Sequence, residues 1–152
     1  MKKIIFIHHG ASIGGAPLSM LELAGSIDDT KYNVLIVFTC QGPMVDIAKK
    51  EGFHTKVLAQ KSIFMYGAHI KIRFRMIIKF LWNYFSTIKS IDYLIKQENP
   101  SLIYLNTSVL ITSAVAIKKN KIPLIWSIRE VPGKNFIIRN WMIGKIENLS
   151  DH

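Results

Sequence analysis

The sequence holds a single cysteine, Cys40, among its 152 residues. That excludes a disulfide framework and a thiolate metal cluster, and its place at the end of an apolar run marks it as a small core or edge residue. Acidic residues are scarce as well, with 10 Asp and Glu against 20 Lys and Arg. No run approaches the ~18 uninterrupted apolar residues of a spanning helix. The apolar stretch behind Met1-Lys2-Lys3 ends at His8 with no small-residue cleavage site, so it does not read as a signal peptide and the expected location is cytoplasmic. H-E-x-x-H and G-x-S-x-G are both missing, which removes support for zinc peptidase and serine hydrolase chemistry. A flavodoxin-like or receiver domain is disfavoured too, because the acidic pocket or hydroxyl-rich phosphate loop it needs is not there.

What is present is an alternation. Apolar runs suited to buried parallel strands occur at Ile4 to His8, Val34 to Thr39, Thr55 to Leu58, Leu102 to Leu105 and Leu124 to Ile128, separated by helix-period sequence or loops. The length fits one α/β domain. The order predicts a doubly wound parallel sheet of five or six strands, with ligands beyond the carboxyl ends of the strands. Continuous apolarity at Leu124, Ile125 and Trp126 predicts a central strand.

Gly14 and Gly15 follow the first strand and open a helix-like stretch from Ala16 to Ile27. A strand, glycine turn, helix unit lets a phosphate reach backbone N–H groups at the positive end of the helix dipole. Gly10-Ala11-Ser12-Ile13-Gly14-Gly15 is not G-x-G-x-x-G, and Ala16-Pro17 stands where a Walker loop needs Lys and Ser or Thr, so a dinucleotide or ATP site is disfavoured. A tight turn serving only the fold is the competing account. His8 and His9 leave the first strand beside the turn, where an imidazole can donate to a hydroxyl or a phosphate. Strand alternation predicts that they face opposite ways and cannot chelate together. Arg129 and Glu130 follow the last strand at the same edge. A guanidinium fork there suits a phosphate or sugar carboxylate, and a local ion pair or helix cap is the alternative.

The net charge of +10 is concentrated. Lys61, Lys71, Arg73, Arg75, Lys79, Lys89 and Lys96 form one basic group, and Lys118, Lys119, Lys121, Arg129, Lys134, Arg139 and Lys145 a second. Such surfaces favour nucleic acid, anionic lipid or phosphorylated substrates, and can also serve solubility alone. From Ile70 the stripe Ile70, Phe74, Ile77, Leu81, Phe85, Ile88, Ile95 predicts the longest helix, widened by Phe80, Trp82 and Tyr84. It reads either as a core-facing helix with a solvated basic back or as one touching an anionic membrane surface.

Three segments resemble the amino-terminal domain of a GT-B glycosyltransferase, specifically glycosyltransferase family 4. They are Ile7-His8-His9-Gly10 running into Gly14 to Ala24; Asn99-Pro100-Ser101 running through Leu102 to Ser108; and Ile122-Pro123 running through Leu124 to Glu130. The resemblance implies that residues 1–152 form the acceptor-side domain of a Rossmann-like pair, with the carboxy-terminal donor-binding domain absent from this chain. It places Gly14 and Gly15 against the donor diphosphate or reacting sugar, and Arg129 and Glu130 at the catalytic position. His8, His9 and Asn106 fall among the substrate-binding positions. Arg129 stands where many members have histidine, and so does Asn106.

The implied function is transfer of a hexose-type sugar from a nucleotide-sugar donor to a lipid-linked or polysaccharide acceptor. No cofactor or metal is expected, and contact would be peripheral, at the inner face of the cell membrane. Stabilising the diphosphate leaving group takes both walls of the cleft, so the chain alone is expected to be inactive or nearly so. The alternative is a non-enzymatic basic α/β module binding RNA or a partner protein, although nucleic acid is not the favoured partner.

Overall fold

The computed structural model describes residues 1–60, 74–129 and 136–151. Five strands, β1 (Lys2–His8), β2 (Tyr32–Phe38), β3 (His54–Val57), β4 (Leu102–Leu105) and β5 (Leu124–Trp126), form one sheet in the order β3-β2-β1-β4-β5. Every pairing is parallel, with Ile5 opposite both Leu35 and Ile103. Strands β1, β2, β4 and β5 are rich in Ile, Val and Leu because both faces are covered. The edge strand β3 (His-Thr-Lys-Val) instead alternates exposed and half-buried residues, so the buried strand expected at Thr55 to Leu58 is not observed. Helices α1 (Gly15–Gly25) and α2 (Pro43–Lys50) cover one face, packing Met20, Leu21, Met44 and Val45 on Ile4, Phe6, Ile36 and Phe38. Helices α4 (Tyr84–Glu98), α5 (Ile111–Lys119) and α6 (Phe136–Leu149) cover the other, packing Ile91, Leu94, Ile117 and Met142 on Ile5, Ile7, Val37 and Leu105. This is the expected doubly wound α/β fold, and the direction of winding reverses between β1 and β4.

Local chemistry sets the helix ends. Pro43 starts α2, with Asp46 in its first turn and Lys49 and Lys50 in its last, each charge opposing the helix dipole. Asn99 closes α4 in a left-handed conformation (φ 45°), and Pro100 follows.

The apolar stripe does not run as one helix. Its first residues, 70 to 73, lie outside the described ones, and the rest divides into α3 (Phe74–Trp82) and α4 at Asn83. The Asn83 side chain donates Nδ2 to the Lys79 carbonyl at 2.7 Å, a local bond that competes with helix continuation. Phe74, Leu81 and Phe85 are exposed, and Phe80 is the residue of α3 that is buried.

One other expectation is corrected. Among the described residues β5 is an edge strand rather than a central one, and it stops at Trp126 with Ile128 exposed. Its apolarity comes from cover by the helices: Leu124 and Trp126 belong to one core, and half-buried Ile125 leans on the other. Cys40 is exposed in the loop after β2. The second basic group is partly neutralised, since Lys118 pairs with Asp151 at 2.8 Å and Lys119 with Asp92 at 3.2 Å.

Glu98, at the end of α4, binds Lys3 of β1 at 2.6 Å and also Lys56 of β3. These two ammonium groups, Lys3 foremost, hold its carboxyl below the ordinary value of 4.5 despite partial desolvation. A depressed folded-state pKa stabilises the fold above the unfolded value and loses that effect as pH falls through the folded one. Wild type is therefore expected to exceed Glu98→Gln in stability by about 1 kcal/mol near neutral pH, with Lys56 half exposed and screened. The gap should narrow as pH falls below the ordinary carboxylate value and close once pH has passed through the lower folded one. Urea unfolding at neutral and acidic pH checks this, and a constant gap would contradict it.

Candidate functional site

The winding reverses between β1 and β4, and the region beyond their carboxyl ends is where open α/β sheets bind ligands. Backbone pairing carries the two strands into it side by side: the Asn106 N–H donates to the Ile7 carbonyl at 3.0 Å, so His8 and Asn106 leave the sheet as neighbours. Asn106 is fully buried and His8 is 4% exposed. The Asn106 Nδ2 group lies 3.2 Å from His8 Nδ1 and donates to the Ala16 carbonyl at 2.9 Å. One amide thus ties the ends of both strands to the first turn of α1.

The amino end of α1 is open. Gly14 precedes it in an extended conformation, no side chain caps it, and its first turn carries no acid. The Gly15 and Ala16 N–H groups have no intrahelical acceptor, and Pro17 has no N–H to offer. A Cβ at Gly15 would meet nothing within 4 Å, and one at Gly14 only Pro17 Cδ at 3.8 Å. Neither glycine is required by backbone strain or by internal packing.

The loop between β1 and α1 is held from the side by β2 and its following turn. Thr39 donates its N–H to the His8 carbonyl at 3.2 Å and its hydroxyl to the His9 carbonyl, and the Met44 N–H donates to the Ala11 carbonyl at 3.0 Å. Here a glycine is required, because a Cβ at Gly42 would lie 2.7 Å from the Ala11 oxygen. Thr39 and Gly42 therefore position the site, yet sequence reading missed them. Their contacts join segments about thirty residues apart, and Gly42 carried no sign beyond lying at the sheet's carboxyl edge.

The histidines do not face opposite ways. His9 lies past the last residue of β1, where the chain bends and strand alternation ends, and the two rings approach to 4.7 Å between centroids. Among the described residues no group of three His, Cys, Asp or Glu is placed to hold a metal.

Arg129 is exposed beyond β5, two strands from β1, and donates Nε to Ser127 Oγ at 3.1 Å. Glu130 lies outside the described residues. The buried Trp126 indole donates to the Thr107 carbonyl at 2.7 Å, fixing the β4–α5 loop against β5. The structure thus brings Gly14, Gly15, His8, His9 and Asn106 together at the carboxyl end of β1 and leaves Arg129 beyond β5, two strands away.

No protein family matches the sequence, and no curated protein sequence does either. Solved structures do match. HepE from Anabaena, in complex with UDP and glucose, aligns over 99% of this chain with a TM-score of 0.67 and 16% identity. MurG from Acinetobacter baumannii aligns over 99% with a TM-score of 0.67 and 13% identity, and the glycotransferase of kitacinnamycin over 96% with 0.56 and 15%. The chain covers 37%, 40% and 34% of those three, well under half of each. At such identities the likeness concerns the fold, and the fold is the Rossmann-like one of GT-B glycosyltransferase domains.

Proposed function

We propose that the chain is the acceptor-side domain of a sugar-nucleotide-dependent glycosyltransferase, similar to family 4 of those enzymes. The observation that carries this is the unobstructed amino end of α1 at the sheet's reversal point, with two glycines that the fold does not need. Backbone N–H groups and the helix dipole there suit a diphosphate or the reacting sugar, and a Cβ at Gly15 would stand in the ligand's way. His8 and His9 supply imidazole contacts beside it, Asn106 sets their frame, and the catalytic role is assigned to Arg129 and Glu130. The charge on the donor would be met by N–H groups and cations without a metal held by this domain.

In this reading the acceptor is lipid-linked or a polysaccharide, the sugar is of hexose type, and a second domain supplies most of the donor site. The chain by itself is then inactive or nearly so. The acceptor chemistry agrees with α3, where apolar and basic residues share an exposed surface that suits anionic lipid at a cytoplasmic membrane face.

Amide chemical-shift mapping of the chain separates this reading from a nucleic-acid or partner-binding module. UDP-glucose or pyrophosphate is expected to move the Gly14–Leu18 signals while leaving the opposite end of the sheet unmoved. Salt-sensitive shifts with an RNA oligonucleotide across the basic surfaces, and none with UDP-glucose, would overturn the proposal in favour of RNA binding.

A further inference from the structure

Asn106 offers two N–H donors on one nitrogen and uses both, toward the Ala16 carbonyl at 2.9 Å and toward His8 Nδ1 at 3.2 Å. The Ala16 carbonyl can only accept, so the amide is oriented with its NH2 group toward that oxygen. Turning the amide over would press two carbonyl oxygens together. The same NH2 group then faces His8 Nδ1, which must accept. In a neutral imidazole one nitrogen accepts and the other carries the proton.

We propose that Asn106 is a positioning residue that locks His8 in the Nε2–H tautomer, so that the neutral ring carries its proton at Nε2 and has no free basic nitrogen at Nδ1. The glycosyltransferase reading enters only in placing these residues at the ligand-binding edge of the sheet. The arrangement has a cost that argues for a purpose. Asn106 Oδ1 is buried with no hydrogen-bond partner among the described residues, whereas a plain anchor for Ala16 needs neither a second donor nor an orphaned acceptor. The amide also joins three segments, the ends of β1 and β4 and the first turn of α1. A change at Asn106 therefore reaches the His8 ring and the glycine turn together.

The test needs no substrate, which keeps its outcome separate from that of the glycosyltransferase reading. Long-range proton–nitrogen correlation spectra of the labelled chain, taken above the imidazole titration range, report which ring nitrogen holds the proton. The His8 signals are identified by their loss in His8→Gln. Wild type is expected to have Nε2 protonated and Nδ1 bare. In Asn106→Asp a carboxylate replaces the donor, and the proton is expected to move to Nδ1. In Asn106→Ala the ring is expected to relax toward the mixture of free imidazole. A wild-type His8 with the proton on Nδ1 would overturn the proposal without any variant. So would an unchanged tautomer ratio in Asn106→Ala or Asn106→Asp, provided the amide spectrum reports an intact fold.

Discussion

Gly15→Ala is expected to leave the fold intact, or slightly firmer, while sugar transfer falls about 10²-fold once the donor-binding domain is in place, the loss seen when one oxyanion donor is removed. The first half follows from geometry. Gly15 opens α1, and a methyl group there meets nothing within 4 Å, so alanine gains its usual ~0.4–1 kcal/mol from the reduced freedom of the unfolded chain. The second half follows from the same empty space, which a diphosphate or sugar would have to share with the methyl group. Gly42→Ala is the matched opposite. Its Cβ would lie 2.7 Å from the Ala11 oxygen and 2.9 Å from the Ala11 Cβ, so the β1–α1 loop must shift at a cost of about 1–3 kcal/mol. Thermal melts and initial transfer rates on both variants give the comparison. A Gly15→Ala enzyme with an unchanged rate would sink the ligand-contact role, whatever its melting temperature.

The sheet was legible because a parallel strand covered on both faces leaves a local signature. Ile4–His8, Val34–Thr39 and Leu102–Leu105 are made mostly of Ile, Leu, Val and Phe, and the observed strands fall within a residue or two of them. The glycine turn was legible for a related reason, since strand, glycine and helix follow one another in sequence. What stayed hidden depends on distance along the chain. Asn106 reaches His8 across 98 positions, and nothing near Asn106 distinguishes a buried amide bridge from a loop residue in contact with ligand. The His8–His9 approach escaped the alternation rule because the strand ends between them, and strand boundaries are set by pairing partners rather than by composition. For β5, an apolar run indicates covered faces but cannot report whether a neighbour pairs along both edges, so an edge strand under helices reads as a central one. The stripe from Phe74 to Phe85 has helical spacing whether its apolar side meets a core or something outside the domain.

That last ambiguity is resolved in favour of an uncovered face, and a large effect on membrane binding is expected from it. Phe74 is 76% exposed, Trp82 84% and Phe85 74%, with Ile78 and Leu81 between them about half exposed. Arg75 and Lys79 lie on the same exposed helix, and the sequence from Phe74 to Ile91 contains no acidic residue. Aromatic rings that enter a headgroup layer gain by area, at about 25 cal/mol per Å2, and the cations add about 1 kcal/mol each near an anionic surface. Replacing Trp82 and Phe85 together with alanine is expected to weaken binding to anionic vesicles at least about tenfold, given roughly 1 kcal/mol or more lost per ring. The fold should survive, because the buried ring of α3 is Phe80, which is untouched. Arg75→Glu with Lys79→Glu should give a similar loss at low salt and little at high salt, where surface charges are screened. Co-sedimentation with neutral and anionic vesicles over a salt series reads both effects. Equal binding to the two vesicle types, or anionic binding that survives the loss of Trp82 and Phe85, would remove lipid as the occupant of this face. A protein surface that seats the three rings would then be the occupant to look for.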